Sequence, residues 1–457
     1  MKNQRRVHAL RIILALIAVA LLASCLAGPQ TMPFDAGIAV IPAIVSAPPP
    51  QRGTVIDAIP LPMESATSYL GILKPELLGM RINVKPLVEA GFFLKIESIK
   101  SVMKPVRQIR LRYWSEDANG RPIKLSGMLY LPAATGEAQM PVPLLLICHG
   151  TQVLRDRVPS RLQGGERPIA ILAAATGYAV AMPDYPGLGD GEGFHPYCHA
   201  QSLAHAGVDI LRAARAFLRL PQPALLYVEA SRLFIGGYSE GGYAAMATAR
   251  ELELSGTEEF ALQGVFPFAG PFDMSHVMRD LMMDDQPIPQ PYYMPFTILG
   301  WAPWYPGFVP SALLRQDVLD AIMPVFDGRN PSKTINDAIA RFQNVPPGKA
   351  IASKMLTAEA KAALMEPEAS ALGRAVGQAL RDNDLADWQA DTKVPMHFMA
   401  VRKDELVPIE NSLEAFEAMK ARGVPVDFRV LDQTTHENGA YEAYGIMLLS
   451  LWKSMGL

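Results

Sequence analysis

The chain has 457 residues, half of them hydrophobic and 19% charged, so it can bury a full-sized core and is not a disordered tail. Its formal net charge is only -3, with no run of five or six like charges, which argues against nucleic-acid binding. In chain order the first feature is a basic segment, Lys2, Arg5, Arg6 and Arg11, followed by an apolar run over residues 12–23. That run is shorter than the roughly 20 residues needed to span a bilayer and reads as the core of a signal peptide covering residues 1–24.

The run closes on Leu22-Ala23-Ser24-Cys25, which resembles the lipobox of bacterial lipoproteins. The resemblance implies export, with Cys25 as the lipidated first residue of the mature chain. An ordinary signal peptide would also export it. Removing residues 1–24 takes away four basic and no acidic side chains, so attachment to a membrane would come from acyl chains and not from charge. Cys148 and Cys198 remain in a compartment that permits one disulfide, although each also suits simple burial.

Residues 26–63 are proline-rich, include Pro48-Pro49-Pro50 and lack a sustained period, as in a tether or N-terminal arm. Strand-like runs follow at 109–114, 127–131, 143–148, 178–182, 232–236, 264–268, 395–401 and 426–431. Helix-length patterns lie at 168–176, 200–218, 242–252, 409–422 and 438–455. This alternation predicts an α/β fold, a mostly parallel central sheet with helices on both faces, built from 64–270 and 393–457. Residues 271–392 hold no clear sheet strand and are too long for a connection, so they should form a largely helical cap or lid. Met278, Tyr293 and Trp301 belong to its aromatic and methionine-rich first half, which suits either packing on the body or cover for an apolar substrate.

The chemistry centres on Gly237-Tyr238-Ser239-Glu240-Gly241, a G-x-S-x-G between a strand and a run of small helix formers. The flanking glycines let a serine sit on a tight turn with its hydroxyl above the sheet, which makes Ser239 the candidate nucleophile. A serine needs an oriented base, and in this strand-turn-helix context the chain order is serine, acid, histidine. Asp404 and His436 both follow predicted strands and are the candidate acid and base; Glu405 and Asp273 are rival acids. Oxyanion donors are expected from the backbone of Glu240 and of Thr151, after the strand that ends in His149-Gly150. His149 itself reads as a ring that shapes this loop. Tyr238, which flanks the serine, is a candidate substrate-binding residue, and Asp184 and Tyr185, in a glycine- and proline-rich loop, can line the site or lock the loop. No metal or nucleotide motif stands out and no cofactor is called for.

These residues make the chain resemble α/β-hydrolase-fold serine hydrolases. More narrowly, Gly237 to Gly242, Asp184-Tyr185 with Gly187-Leu188-Gly189, His195-Pro196-Tyr197 and the long insertion are similar to secretory lipases and their bacterial relatives. The resemblance covers roughly 107–457 and implies an esterase or lipase acting on esters with an apolar acyl or alkyl group. A serine peptidase or acyltransferase on the same fold, or a non-catalytic surface lipoprotein that binds lipid or protein, stays open at this level, as does oligomeric state.

Overall fold

The computed structural model describes residues 51–70, 82–133, 141–219, 227–255, 259–386, 388, 390 and 392–457. The expected signal peptide, Cys25 and the first part of the arm lie outside these residues. Nine strands form one sheet: β1 (Val55–Glu64), β2 (Val106–Glu116), β3 (Pro122–Pro132), β4 (Pro141–Cys148), β5 (Ala179–Pro183), β6 (Tyr227–Tyr238), β7 (Leu262–Phe268), β8 (Met396–Val401) and β9 (Val426–Leu431). Their order across the sheet is β1-β2-β3-β5-β4-β6-β7-β8-β9. Strands β1 to β3 form an antiparallel meander and β5 joins β3 antiparallel; from β5 to β9 every pairing is parallel.

Each face of the sheet carries its own apolar cluster, which is why the central strands are hydrophobic without interruption. In β4, Leu144, Leu146 and Cys148 point into one cluster, Leu145 and Ile147 into the other, and all five are buried. Helices Ala200–Leu218, Glu240–Leu254 and Glu410–Ala421 cover the first face. Helices Phe92–Ile99, Arg167–Ala175 and His436–Ser454 cover the second.

One strand and the helix Phe92–Ile99 ahead of β2 depart from the sequence reading. Residues 55–63, expected within the arm, belong to the edge strand β1, paired with β2 from Val55 opposite Tyr113 to Glu64 opposite Val106. Pro60 and Pro62 hide this strand in sequence, yet an edge position tolerates them because one row of N–H groups needs no partner. The possible disulfide is also absent, since Cys148 and Cys198 are separate buried thiols. Burial pushes the Cys148 thiol up to about 12.

The insertion between β7 and β8 is helical, with Tyr293–Trp301, Ser332–Phe342 and Ala371–Asp382 among its longer helices. It is seated on the 194–198 loop. The Trp301 indole N–H donates to the Tyr197 carbonyl at 2.9 Å, and the Tyr197 ring stacks on Phe296 and Tyr293.

Candidate active site

The site lies where the chain order of the sheet reverses. β5 and β6 follow β4 in sequence but flank it on opposite sides, so the C-terminal ends of β4 and β6 open a crevice. Cys148 pairs with Gly237, which sets His149-Gly150-Thr151 beside Tyr238-Ser239-Glu240.

Ser239 joins β6 to helix Glu240–Leu254 at φ 62 and ψ -126, a conformation that costs a non-glycine residue energy. Its amide donates to the Phe268 carbonyl at 2.9 Å and its carbonyl accepts from the Tyr243 amide at 3.0 Å. The tightness of this turn explains the motif. A Cβ at Gly241 would stand 2.1 Å from the Cys148 carbonyl oxygen, and one at Gly237 would stand 2.2 Å from the Gly241 oxygen.

Asp404 and His436, 32 residues apart, meet beyond β8 and β9. His436 Nδ1 is 2.7 Å from Asp404 Oδ2, both side chains being almost fully buried. Asp404 Oδ1 accepts the amides of Leu406 (3.0 Å) and Val407 (2.8 Å), so the carboxylate is fixed by its own loop. The His436 amide donates to Glu405 at 2.9 Å, and the Tyr238 hydroxyl donates to the His436 carbonyl at 2.7 Å. Nε2 of His436 is buried without a hydrogen-bond partner among the described residues. Ser239 and His436 line one open cavity, together with Thr151, Glu166, Tyr238 and Tyr293.

Glu240 follows Ser239 directly, and Thr151 lines the same cavity as Ser239. Among the described residues, neither backbone N–H donates to a protein acceptor. The Thr151 loop is held by Glu166, whose Oε1 accepts the Gly150 amide at 2.9 Å. Glu166 escaped the sequence reading because its partner is 16 residues away. The one available signal was its place ahead of Arg167-Pro168 at a helix start.

A second, narrow pocket shares Tyr293 and Leu406 with the first and is otherwise mostly apolar. Met274, Met278, Met282 and Met294 line it. The residues singled out in sequence therefore divide. Tyr238 and Tyr293 line the Ser239 cavity and Met278 and Tyr293 the neighbouring one, whereas Tyr185 and Trp301 line neither of these two. Tyr185 is fully buried, donates to the His149 carbonyl at 3.1 Å and packs at a tilt against the His149 ring. Trp301 is buried against the 197 carbonyl.

The remaining polar residues of this edge also act on shape. His149 lies between the Gly150 and Asp184 carbonyls, at 2.7 and 3.3 Å. Asp184 accepts from the Ser126 hydroxyl (2.5 Å) and the Ser160 amide (2.9 Å); burial raises its carboxyl above the ordinary range in spite of both bonds. Asp273 pairs with His276 and not with His436.

A parallel sheet with a chain reversal, a strained serine at the tip of the strand beside it, and an insertion after the next strand define the α/β-hydrolase fold. Solved structures share it. A Legionella pneumophila protein described as a hydrolase superposes with TM-score 0.69 at 19% identity, covering 87% of this chain and 97% of its own. The rice cell wall degrading esterase LipA of Xanthomonas oryzae gives 0.64 at 22% identity, covering 88% and 96%. Candida antarctica lipase A in its closed state gives 0.55 at 15%, covering 84% and 78%. No curated protein matches the sequence. The chain belongs to the secretory lipase family, whose profile matches residues 166–440, and is a hydrolase of carboxylic esters.

Proposed function

We propose that the protein is an exported serine esterase or lipase that works through an acyl-enzyme. The observation that carries this reading is the state of His436: Nδ1 is bound to Asp404 at 2.7 Å, while Nε2 is buried and, among the described residues, unpartnered, with His436 lining the cavity onto which Ser239 opens. A base must be oriented on one nitrogen and free on the other. In this mechanism Ser239 Oγ attacks the ester carbonyl carbon as its proton passes to His436 Nε2. The N–H groups of Thr151 and Glu240 receive the oxyanion, and Asp404 stabilises the imidazolium. His436 then protonates the departing alcohol, and afterwards takes a proton from the water that releases the acid.

The methionine-lined cavity supports an apolar acyl group, since flexible thioethers adapt to alkyl chains. The Ser239 cavity carries Gln152, Arg157, Glu166 and Glu437, a polar wall suited to the alcohol side. That an esterase of plant cell walls and a lipase share the fold supports an ester substrate without choosing between them. Export rests on residues 1–24, and membrane attachment on acylation of Cys25. No helix among the described residues is long and apolar enough to cross a membrane.

The test is a fluorophosphonate probe followed by peptide mapping, with a panel of esters and peptides. A phosphonyl adduct on Ser239, lost in Ser239→Ala, with turnover of esters, supports the reading. Folded protein that neither labels at Ser239 nor hydrolyses esters overturns it.

A further inference from the structure

Behind Ser239 lies a second buried pair that this mechanism does not use. Glu240 Oε1 is 2.7 Å from His195 Nε2, and the two side chains are 0% and 2% exposed. His195 Nδ1 is 2.9 Å from the Pro186 carbonyl, which can only accept, so Nδ1 carries a hydrogen. A proton must therefore lie between Nε2 and Oε1, and the pair is neutral overall in either form, imidazolium with carboxylate or imidazole with carboxylic acid. The other Glu240 oxygen, Oε2, is buried without a hydrogen-bond partner among the described residues.

This pair has a position that ordinary packing does not require. Glu240 is the first residue of the helix after Ser239, and its own N–H is the proposed oxyanion donor. An unneutralised carboxylate there would oppose the negative charge developing on the substrate oxygen. The opposite end of the link leads to the cap. The His195 ring packs on Tyr185 and on Phe296 of helix Tyr293–Trp301, and two residues later Tyr197 stacks on Phe296 and Tyr293. Tyr293 lines both cavities.

We propose that His195 is a positioning residue for ester hydrolysis: through Glu240 it holds the oxyanion-donating amide against the cap-bearing loop and cancels the charge of the adjacent carboxylate. The proposal rests on the serine mechanism above. Neutralisation makes the pair mutually dependent, because losing the histidine alone strands a buried charge, whereas losing both partners' charges does not.

The experiment compares wild type, His195→Gln, Glu240→Gln and the double variant on one short-chain ester, after Ser239 labelling and thermal melts establish that each is folded and competent. His195→Gln is expected to lower kcat about tenfold or more with little change in KM, as for impaired oxyanion donation. Glu240→Gln should cost less, and adding it to His195→Gln should restore most of the lost kcat. A structural role alone would make the double variant as slow as the worse single one, and that result overturns the proposal, as does a folded His195→Gln enzyme with wild-type kcat. If His195→Gln does not fold, Glu240→Ala must be slower in kcat than Glu240→Gln at similar KM, and equal kcat values overturn it. Wild-type enzyme that labels at Ser239 but yields contrary variants rejects this proposal alone, whereas unlabelled wild type rejects the mechanism beneath it as well.

Discussion

Asp404 holds Nδ1 of His436 at 2.7 Å while two amides of its own loop pin its other oxygen, so the orientation of the imidazole is set by a carboxylate that cannot turn away. Asp404→Asn keeps the shape but offers an N–H or a weaker acceptor to Nδ1, which favours the wrong tautomer. We expect kcat to fall by roughly 10⁴-fold with the fold retained by circular dichroism. Glu405→Gln, which still presents an oxygen to the His436 amide, should cost far less. Comparable losses in the two variants would remove Asp404 from its assigned role.

The methionine-lined cavity should set acyl length. Met282→Trp fills part of that space, and excluding two methylenes at about 0.8 kcal/mol each corresponds to about fifteenfold in kcat/KM. The loss should appear with long-chain p-nitrophenyl esters and be much smaller with short ones. An equal loss at every chain length would place the acyl group elsewhere.

Stability should decline in acid through buried histidines. Burial, helped by the nearby His205 and Arg250, lowers the pKa of His199 from 6.5 to about 3, and His205 is shifted in the same direction, also chiefly by burial. Above pH 6.5 neither folded nor unfolded chain binds the His199 proton, and its contribution is complete. As pH falls from 6.5 toward 3 only the unfolded chain takes the proton, so stability drops by about 1.4 kcal/mol per pH unit from this group. Urea unfolding at pH 7 and pH 5 should therefore show His199→Gln losing about 2 kcal/mol less than wild type between the two. Identical losses would show that the ring is protonated in the native state.

Gly241 tests the turn itself. A methyl there meets the Cys148 carbonyl oxygen at 2.1 Å and its carbon at 2.8 Å, both backbone atoms of a central strand that cannot yield like a side chain. Gly241→Ala should destabilise by about 1–3 kcal/mol and reduce ester turnover together. A melting temperature equal to wild type would mean that the turn is looser than described.

Much of this was readable in the sequence for local reasons. The Ser239 motif carries its own flanking strand and helix, and the apolar runs of β4 and β9 end where the structure ends them, at Cys148 and Leu431. Asp404 and His436 were legible because each follows such a run, and they lie side by side in space. What escaped depends on contacts between distant segments. β1 is a strand only because β2 lies beside it, and its prolines concealed it. Tyr185 and Trp301 look like any other exposed-loop or lid aromatic until the packing shows which way they turn. The His195–Glu240 and Gly150–Glu166 contacts join residues 45 and 16 apart, and no spacing rule announces them.

The cap leaves from β7 and the chain re-enters the sheet at β8, and these strands are direct neighbours, with Phe268 opposite Met399. The excursion therefore begins and ends at almost one place and disturbs no strand register. Such an arrangement lets the insertion change in length or sequence without shifting the strands that carry Ser239, Asp404 and His436.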